Sequence, residues 1–375
     1  DPKTGQILAM VGSKNYNGDP EPEGCEPGKN CQFEPFVNVA TRLRQPGSSF
    51  KPFVYATAIK NGYTPDTIVW DIPTEFNPLC SWNGNAENGV DQETCYKPKN
   101  YDGNFRGPVT LKQSLANSLN IPSVKILYLT GINNSIDTAE SLGITTLKDR
   151  SRYGLSLALG AAEVKLLEMV SAYGVFSQEG IKHDPIGILK IEDGNGQILE
   201  EYRNQEQKVL DEQVAREIND ILSDNNARAP LFGLYSSLSL GDRPAAAKTG
   251  TTQDSNSFDK AKDAWIIGYT PSLVAGVWVG NNDNTPVDKS GSSAAGPIWR
   301  EFMLQTLKDA PLENFTKPEP ILTDKPILNG QYQITVNLNI NKNNGLLATD
   351  KTPPDLVQNK SFTEIHEILY WLDKN

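Results

Sequence analysis

The sequence predicts an α+β fold in which an antiparallel sheet is flanked by helices, and three observations carry that prediction. Helical segments recur between residues 46 and 222, a strand-rich block follows at 245–280, and the turns inside that block are short enough to join antiparallel neighbours. The hydrophobic share of 38% in a chain of this length supports a sizeable core and excludes global disorder.

In chain order, Pro2-Lys3-Thr4-Gly5 reads as a turn and Gln6 to Gly12 as a short buried strand closed by glycine. Residues 17–32 are loop. Pro46-Gly47 opens a helix that runs through Ala56, Ala58 and Ile59. Residues 77–107, rich in Asn, Gly and Pro, form a long loop. Thr110 caps a helix carrying Leu111, Leu115 and Leu119, and Pro122 marks a bend into a second stretch through Val124, Leu127 and Leu129. Leu157 to Phe176 and Val209 to Leu222 are helical. Between them, Ile186 to Tyr202 reads as a hairpin around Asp193-Gly194-Asn195-Gly196. The main strands are Ala246 to Thr251, Asp263 to Tyr269 and Leu273 to Val279, and Pro297 to Leu307 closes as a helix. Pro311, Pro318, Pro320 and Pro326 then give a linker composition. The tail holds an alternating strand at Tyr332 to Ile340 and an amphipathic helix near Phe362 to Leu372. The predicted division is one large domain, 1–305, followed by a Pro-rich linker and small C-terminal extension, 306–375.

Charge and cysteine content narrow the partners. A net charge of −11 argues against nucleic acid, which selects a basic face, but leaves room for an anionic substrate where a local lysine dominates one cleft. No run of apolar residues is long enough to span a membrane. The four cysteines fall as two close pairs, Cys25 with Cys31 and Cys80 with Cys95. Local disulfides are favoured over free thiols. Zinc ranks last, because no C-x-x-C occurs and the two histidines, His183 and His366, lie far apart. No metal or other cofactor is expected. Disulfides would imply an extracytoplasmic compartment.

The chemistry turns on serine. A serine hydroxyl is a poor nucleophile until a base takes its proton. With both histidines in unremarkable contexts, the base to look for is a lysine. Residues three apart share a helix face, so Ser48-Ser49-Phe50-Lys51 can bring an amine beside a hydroxyl at a helix start, where free N–H groups stabilise an oxyanion. The pattern alone is weak, and Ser257-Phe258-Asp259-Lys260 repeats it. It gains weight in an ordered set with Ser-x-Asn and Lys-Thr-Gly. Lys-Thr-Gly occurs at 3–5, in a turn ahead of every nucleophile, and at 248–250, opening the strand block. Ser-x-Asn occurs at 13–15, 118–120 and 223–225. Chain order and context favour Ser118-Leu119-Asn120, between two helical stretches, over Ser223-Asp224-Asn225 at a helix end.

With those residues in order, the chain resembles the penicillin-binding protein transpeptidases. Gln45 to Pro52 resembles their active-site segment, Leu115 to Lys125 their second motif and Lys248-Thr249-Gly250-Thr251-Thr252 their third. The stretches 1–12, 160–180 and 292–302 are similar to the class A, bifunctional branch. The resemblance implies a penicillin-binding/serine β-lactamase-like fold with an all-helical subdomain. It also implies roles: Ser48 as nucleophile toward the D-Ala-D-Ala bond of a peptidoglycan stem peptide, Lys51 as base, Ser118 as proton relay, and Asn120 holding Lys51. Lys248, Thr249, Gly250 and Thr251 would line the carboxylate subsite, and the N–H groups of Ser48 and Thr251 would form the oxyanion hole. The implied partners are stem peptides of lipid II-derived glycan strands, with β-lactams as inhibitors, and the implied outcome is D,D-transpeptidation. A D,D-carboxypeptidase or β-lactamase-type hydrolase and a non-catalytic β-lactam sensor are the alternatives. Because the sequence starts at Asp1 without a Met, the resemblance further implies an upstream membrane anchor and glycosyltransferase domain, on the extracytoplasmic face of a bacterial membrane. Ser49 and Thr252 are read as structural, Glu163 and Glu168 as cap or solvated face, and Trp265, Trp278 and Trp299 as core.

Overall fold

A three-stranded antiparallel sheet organises the region that carries the motifs. The computed structural model describes residues 1–87, 89–254 and 257–369, without the side chains of 254 and 257–259. It divides into two compact units, Asp1–Pro65 with Lys112–Pro320, and Asp66–Leu111 with Ile321–Asn375.

In the first unit the sheet order is β3-β2-β1, with β1 Ala246–Asp254, β2 Ser257–Thr270 and β3 Leu273–Gly280. The strands and their antiparallel meander agree with the sequence reading. Ala264-Trp265-Ile266-Ile267 is a continuous buried run because the central strand is covered on both faces. The helices are α1 Lys51–Lys60, α2 Leu111–Ala116, α3 Asn120–Thr130, α4 Ile132–Ser141, α5 Leu166–Ser177, α6 Glu212–Ser223, α7 Asn225–Phe232 and α8 Gly291–Thr306. On one face of the sheet, Ala295, Trp299 and Met303 of α8 pack with Ala247 and Ile266. Side chains alternate along a strand, so Trp265, Ile267 and Tyr269 point the other way, as does Lys248, which pairs with Ile267. There Tyr269 meets Tyr173 of α5 edge-to-face, and Gly276 admits Val170 and Leu166. Residues 51–59 of α1 are all buried, the mark of a helix enclosed on every side.

Several sequence expectations are corrected. Gln6 to Gly12 is not a strand: only Gln6 joins a bridge, to Ile186, and Leu8, Met10 and Val11 are exposed because no ladder continues beside them. The helix expected across Leu157 to Phe176 is split. A 3₁₀ turn ends at Leu159, Gly160 turns left-handed, and α5 begins only at Leu166. The bend between α2 and α3 falls at Ser118, not Pro122. The proline sits in the first turn of α3, where its missing N–H costs no intrahelical bond. α8 starts at Gly291 rather than Pro297 because Ser290 and Ser293 form a reciprocal cap. Trp265 and Trp299 are core as expected, whereas Trp278 is half-buried, stacked under Arg44 and donating to Asp263.

The second unit holds two antiparallel pairs, Ile68–Asp71 with Gly107–Thr110, and β4 Gln333–Asn341 with β5 Val357–Ile365. Buried Asp71 accepts two hydrogen bonds from Asn100, at 2.8 and 2.9 Å. The helix expected near Phe362 to Leu372 is therefore wrong over Phe362–Ile365, where each residue pairs across the ladder with β4; residues 370–372 lie outside the described residues. Residues up to Pro320 stay with the first unit, where Arg243 donates to the carbonyls of Leu307, Ala310 and Pro311 and Gln213 donates to that of Glu319. Cys25 is bonded to Cys31 and Cys80 to Cys95.

Trp299 is fully buried and its ring lies against Gly268. Trp299→Ala should lower unfolding stability by about 3–5 kcal/mol in a denaturant titration, and Trp278→Ala by clearly less.

Candidate active site

Ser48 lies in the 3₁₀ turn Gly47–Phe50 that leads into α1. The turn is tied internally and from behind. Ser49 Oγ donates to the carbonyl of Pro46 at 2.7 Å, and the Tyr173 hydroxyl donates to the carbonyl of Ser49 at 2.6 Å. Ser48 itself is half-buried, and no hydrogen bond among the described residues engages its Oγ.

Lys51, one turn further on, is completely buried. Its amine donates to the Ser118 carbonyl at 2.7 Å, the Leu119 carbonyl at 3.1 Å and Asn120 Oδ1 at 2.8 Å, and lies 3.5 Å from Ser118 Oγ. Ser118 makes this possible. Its φ of 53° is left-handed, uncommon for a residue with a Cβ, and it places Ser118 and Leu119 between α2 and α3 with their carbonyls toward one amine. Lys248, on β1, is equally buried; it donates to Ser118 Oγ at 2.8 Å and to the Thr249 carbonyl at 3.1 Å. One hydroxyl thus meets two amines.

Both amines are displaced from ordinary lysine behaviour. Burial, and then the neighbouring charge of Lys248, pushes Lys51 well below the usual lysine range; burial alone brings Lys248 down to about 7. Among the described residues no carboxylate pairs with either amine.

The rest of the Lys-Thr-Gly strand closes on the Ser48 turn. A Cβ on Gly250 would sit 2.1 Å from the Pro46 carbonyl oxygen, so only glycine lets the strand approach this closely. Thr252 donates to the Gln45 carbonyl at 3.1 Å, the structural role expected for it. Thr251 Oγ1 accepts the Gly291 N–H at 3.0 Å, which leaves its own O–H to donate elsewhere. Thr249 is buried in the strand.

Ser48, Lys51, Ser118, Asn120 and Lys248–Thr251 are therefore gathered around one point in the fold. Ser223-Asp224-Asn225 is elsewhere employed: Asp224 caps α7 and pairs with Lys112 at 2.9 Å. The side chains of Ser257–Asp259, in the second Ser-x-x-Lys, lie outside the described residues. Glu168, in the first turn of α5, accepts from the Thr145 N–H and the Lys165 amine, so it ties a neighbouring loop to the helix rather than capping it. Tyr173 escaped the sequence reading, because nothing local distinguishes a tyrosine that reaches a distant carbonyl from one that packs in a helix.

A serine turn and two buried lysines beside the edge strand of a helix-flanked antiparallel sheet define an α+β scaffold built around a serine–lysine cluster. A family model described as the penicillin binding protein transpeptidase domain matches residues 1–304. The chain belongs to that family. Penicillin-binding protein 2D of Bacillus subtilis (strain 168) is 34% identical over 86% of this chain and 42% of its own length. Penicillin-binding protein 1A of Aquifex aeolicus is 34% identical over 85% of this chain and 39% of its own. The chain thus spans about two fifths of the length of these curated relatives. Among solved structures, PonA1 from Mycobacterium tuberculosis superposes with a TM-score of 0.67 at 26% identity, over 86% of this chain and 79% of that one. Its complex with penicillin V matches with a TM-score of 0.64 at 28% identity, over 77% and 76%. The α+β penicillin-binding fold and the class A likeness read from the motifs are those found.

The lowered lysine pKa has a stability consequence. Between about pH 7 and about pH 10.4 an unfolded Lys248 keeps its proton while the folded one has lost it, so this group makes stability rise with pH across that window. Over the alkaline part of this range the unfolding midpoint should climb more steeply for the wild type than for Lys248→Met. Parallel curves would show that the amine is not displaced.

Proposed function

We propose that this chain is a peptidoglycan D,D-transpeptidase domain that works through an acyl-enzyme on Ser48. The observation that carries the reading is the Ser118 hydroxyl held between two buried amines, at 2.8 Å from Lys248 and 3.5 Å from Lys51, beside a serine with an unengaged Oγ. Lys51, which burial biases toward the neutral form, takes the Ser48 proton as Oγ adds to the carbonyl between the two terminal D-alanines. The N–H groups of Ser48 and Thr251 receive the oxyanion. As the intermediate collapses, the C–N bond breaks and the departing D-alanine amine gains a proton through Ser118. Asn120 keeps Lys51 in place. The substrate carboxylate sits at Lys248, whose amine a bound anion returns to the charged form, with Thr249 and Thr251 hydroxyls alongside and Gly250 leaving room for the peptide. An amine on a neighbouring strand then attacks the ester and releases Ser48.

The edge position of β1, paired as a strand with β2 alone among the described residues, supports an extended peptide as ligand. Family membership supports β-lactams as inhibitors that acylate the same serine, and an extracytoplasmic site of action where stem peptides are displayed.

Intact-mass analysis after incubation with a penicillin should show one adduct, located on Ser48, and none on Ser48→Ala. Lys51→Ala should slow labelling by about 100-fold or more. Purified stem pentapeptide with an acceptor amine should yield cross-linked product and free D-alanine. Equal labelling of the wild type and Ser48→Ala would sink the reading.

A further inference from the structure

Resting on the acyl-enzyme reading, we infer that Gly160 and Tyr173 are positioning residues that set the direction of the Ser48 N–H, and so the rate of acylation rather than ligand affinity. The argument is one of backbone contacts. Gly160 ends its 3₁₀ turn with φ +77°, and a Cβ placed there would lie 2.2 Å from the Gly47 oxygen, 2.4 Å from its nitrogen and 2.6 Å from its carbonyl carbon. Gly47 in turn has φ +55°, and a Cβ on it would lie 2.6–2.7 Å from the oxygen, carbon and nitrogen of Thr251. Three stretches of main chain are therefore stacked without intervening side chains: Gly160, Gly47, Thr251.

The carbonyl of Gly47 and the N–H of Ser48 belong to one planar peptide unit. Whatever presses on that carbonyl rotates that N–H. Gly160 is the surface it rests against, and Thr251, the other proposed oxyanion donor, packs against the same Gly47. The Tyr173 hydroxyl fixes the same turn one residue later, through its 2.6 Å bond to the Ser49 carbonyl. Tyr173 is fully buried and wedged edge-on against Phe53, Phe176 and Tyr269, so this hydroxyl has little room to move. Gly160 and Tyr173 thus brace the turn from which one proposed oxyanion donor projects.

A methyl group at 160 must displace the Gly47–Ser48 peptide. Misplacement of a reacting group by a fraction of an ångström to an ångström costs about 10- to 100-fold in rate. The test measures acylation of the 375-residue chain by a chromogenic cephalosporin in stopped flow, separating the acylation rate constant from the preceding binding constant. Gly160→Ala should lower the rate constant by about 10- to 100-fold with little change in the binding constant. Tyr173→Phe should lower it about fivefold, the worth of one hydrogen bond. Gly143→Ala is the control. Gly143 is also left-handed at φ +114°, but its Cβ would meet only the flexible Lys182 side chain, so acylation should be unchanged despite any loss of stability. The inference is overturned if Gly160→Ala acylates at the wild-type rate, if only its binding constant changes, or if Gly143→Ala is slowed as much. Should Gly160→Ala not fold, Tyr173→Phe decides by the same readout. A wild type that never acylates removes the acyl-enzyme reading and this inference together; a wild type that acylates no faster than the variants removes only the inference.

Discussion

Two lysine amines buried around a single hydroxyl set the terms for the surrounding structure. Removing an ammonium group from water is costly, and a second one nearby makes it costlier. The chain carries a net charge of −11, yet no carboxylate among the described residues pairs with either amine. Main-chain and side-chain oxygens do that work instead: the carbonyls of Ser118, Leu119 and Thr249, the amide of Asn120 and the hydroxyl of Ser118. A carboxylate would hold the lysines charged. Dipoles satisfy their hydrogens while leaving them displaced toward neutrality.

This requirement explains local features that otherwise look arbitrary. Helix α2 must stop before Ser118, and Ser118 must take a left-handed conformation, for two successive carbonyls to face Lys51. α1 must be enclosed on all sides, because a partly exposed helix would hydrate the amine it carries and raise its pKa again. Lys248 must lie on the face of β1 opposite α8, and the two-residue period of the strand puts it there together with Gly250.

The Ser48 turn and the sheet edge approach each other backbone to backbone. At Gly250 and Gly47 any Cβ would collide with main-chain atoms of the facing segment. Contact at this range leaves few ways for the two N–H groups to vary in separation, whereas side chains in between would each bring rotamer freedom. The same logic extends outward to α8, whose Gly291 N–H bonds Thr251 and whose own Cα lies against Gly250. A helix on the far side of the sheet thereby braces the strand that faces the cleft.

Much of this was legible in the amino-acid order. Residue type and short-range spacing suffice for Ser48 with Lys51, because a helical turn fixes their separation, and for the strands around Trp265 and Val274, because buried strands read as apolar runs between turns. Capping and turn chemistry were less legible. Ser290 overrode Pro297 at the start of α8, and Gly160 cut a helix that composition alone would have continued. Gln6 to Gly12 and Phe362–Ile365 were misread for one reason: a strand exists only where a partner ladder lies beside it, and local sequence is silent on partners. The motifs by themselves determined which residue types are available for chemistry. Only the tertiary structure decided that Lys248 and Lys51, 197 positions apart in the chain, share one hydroxyl, and that Tyr173 and Gly160 brace the serine turn, since burial and long-range contact are properties of the packed chain and not of any segment of it.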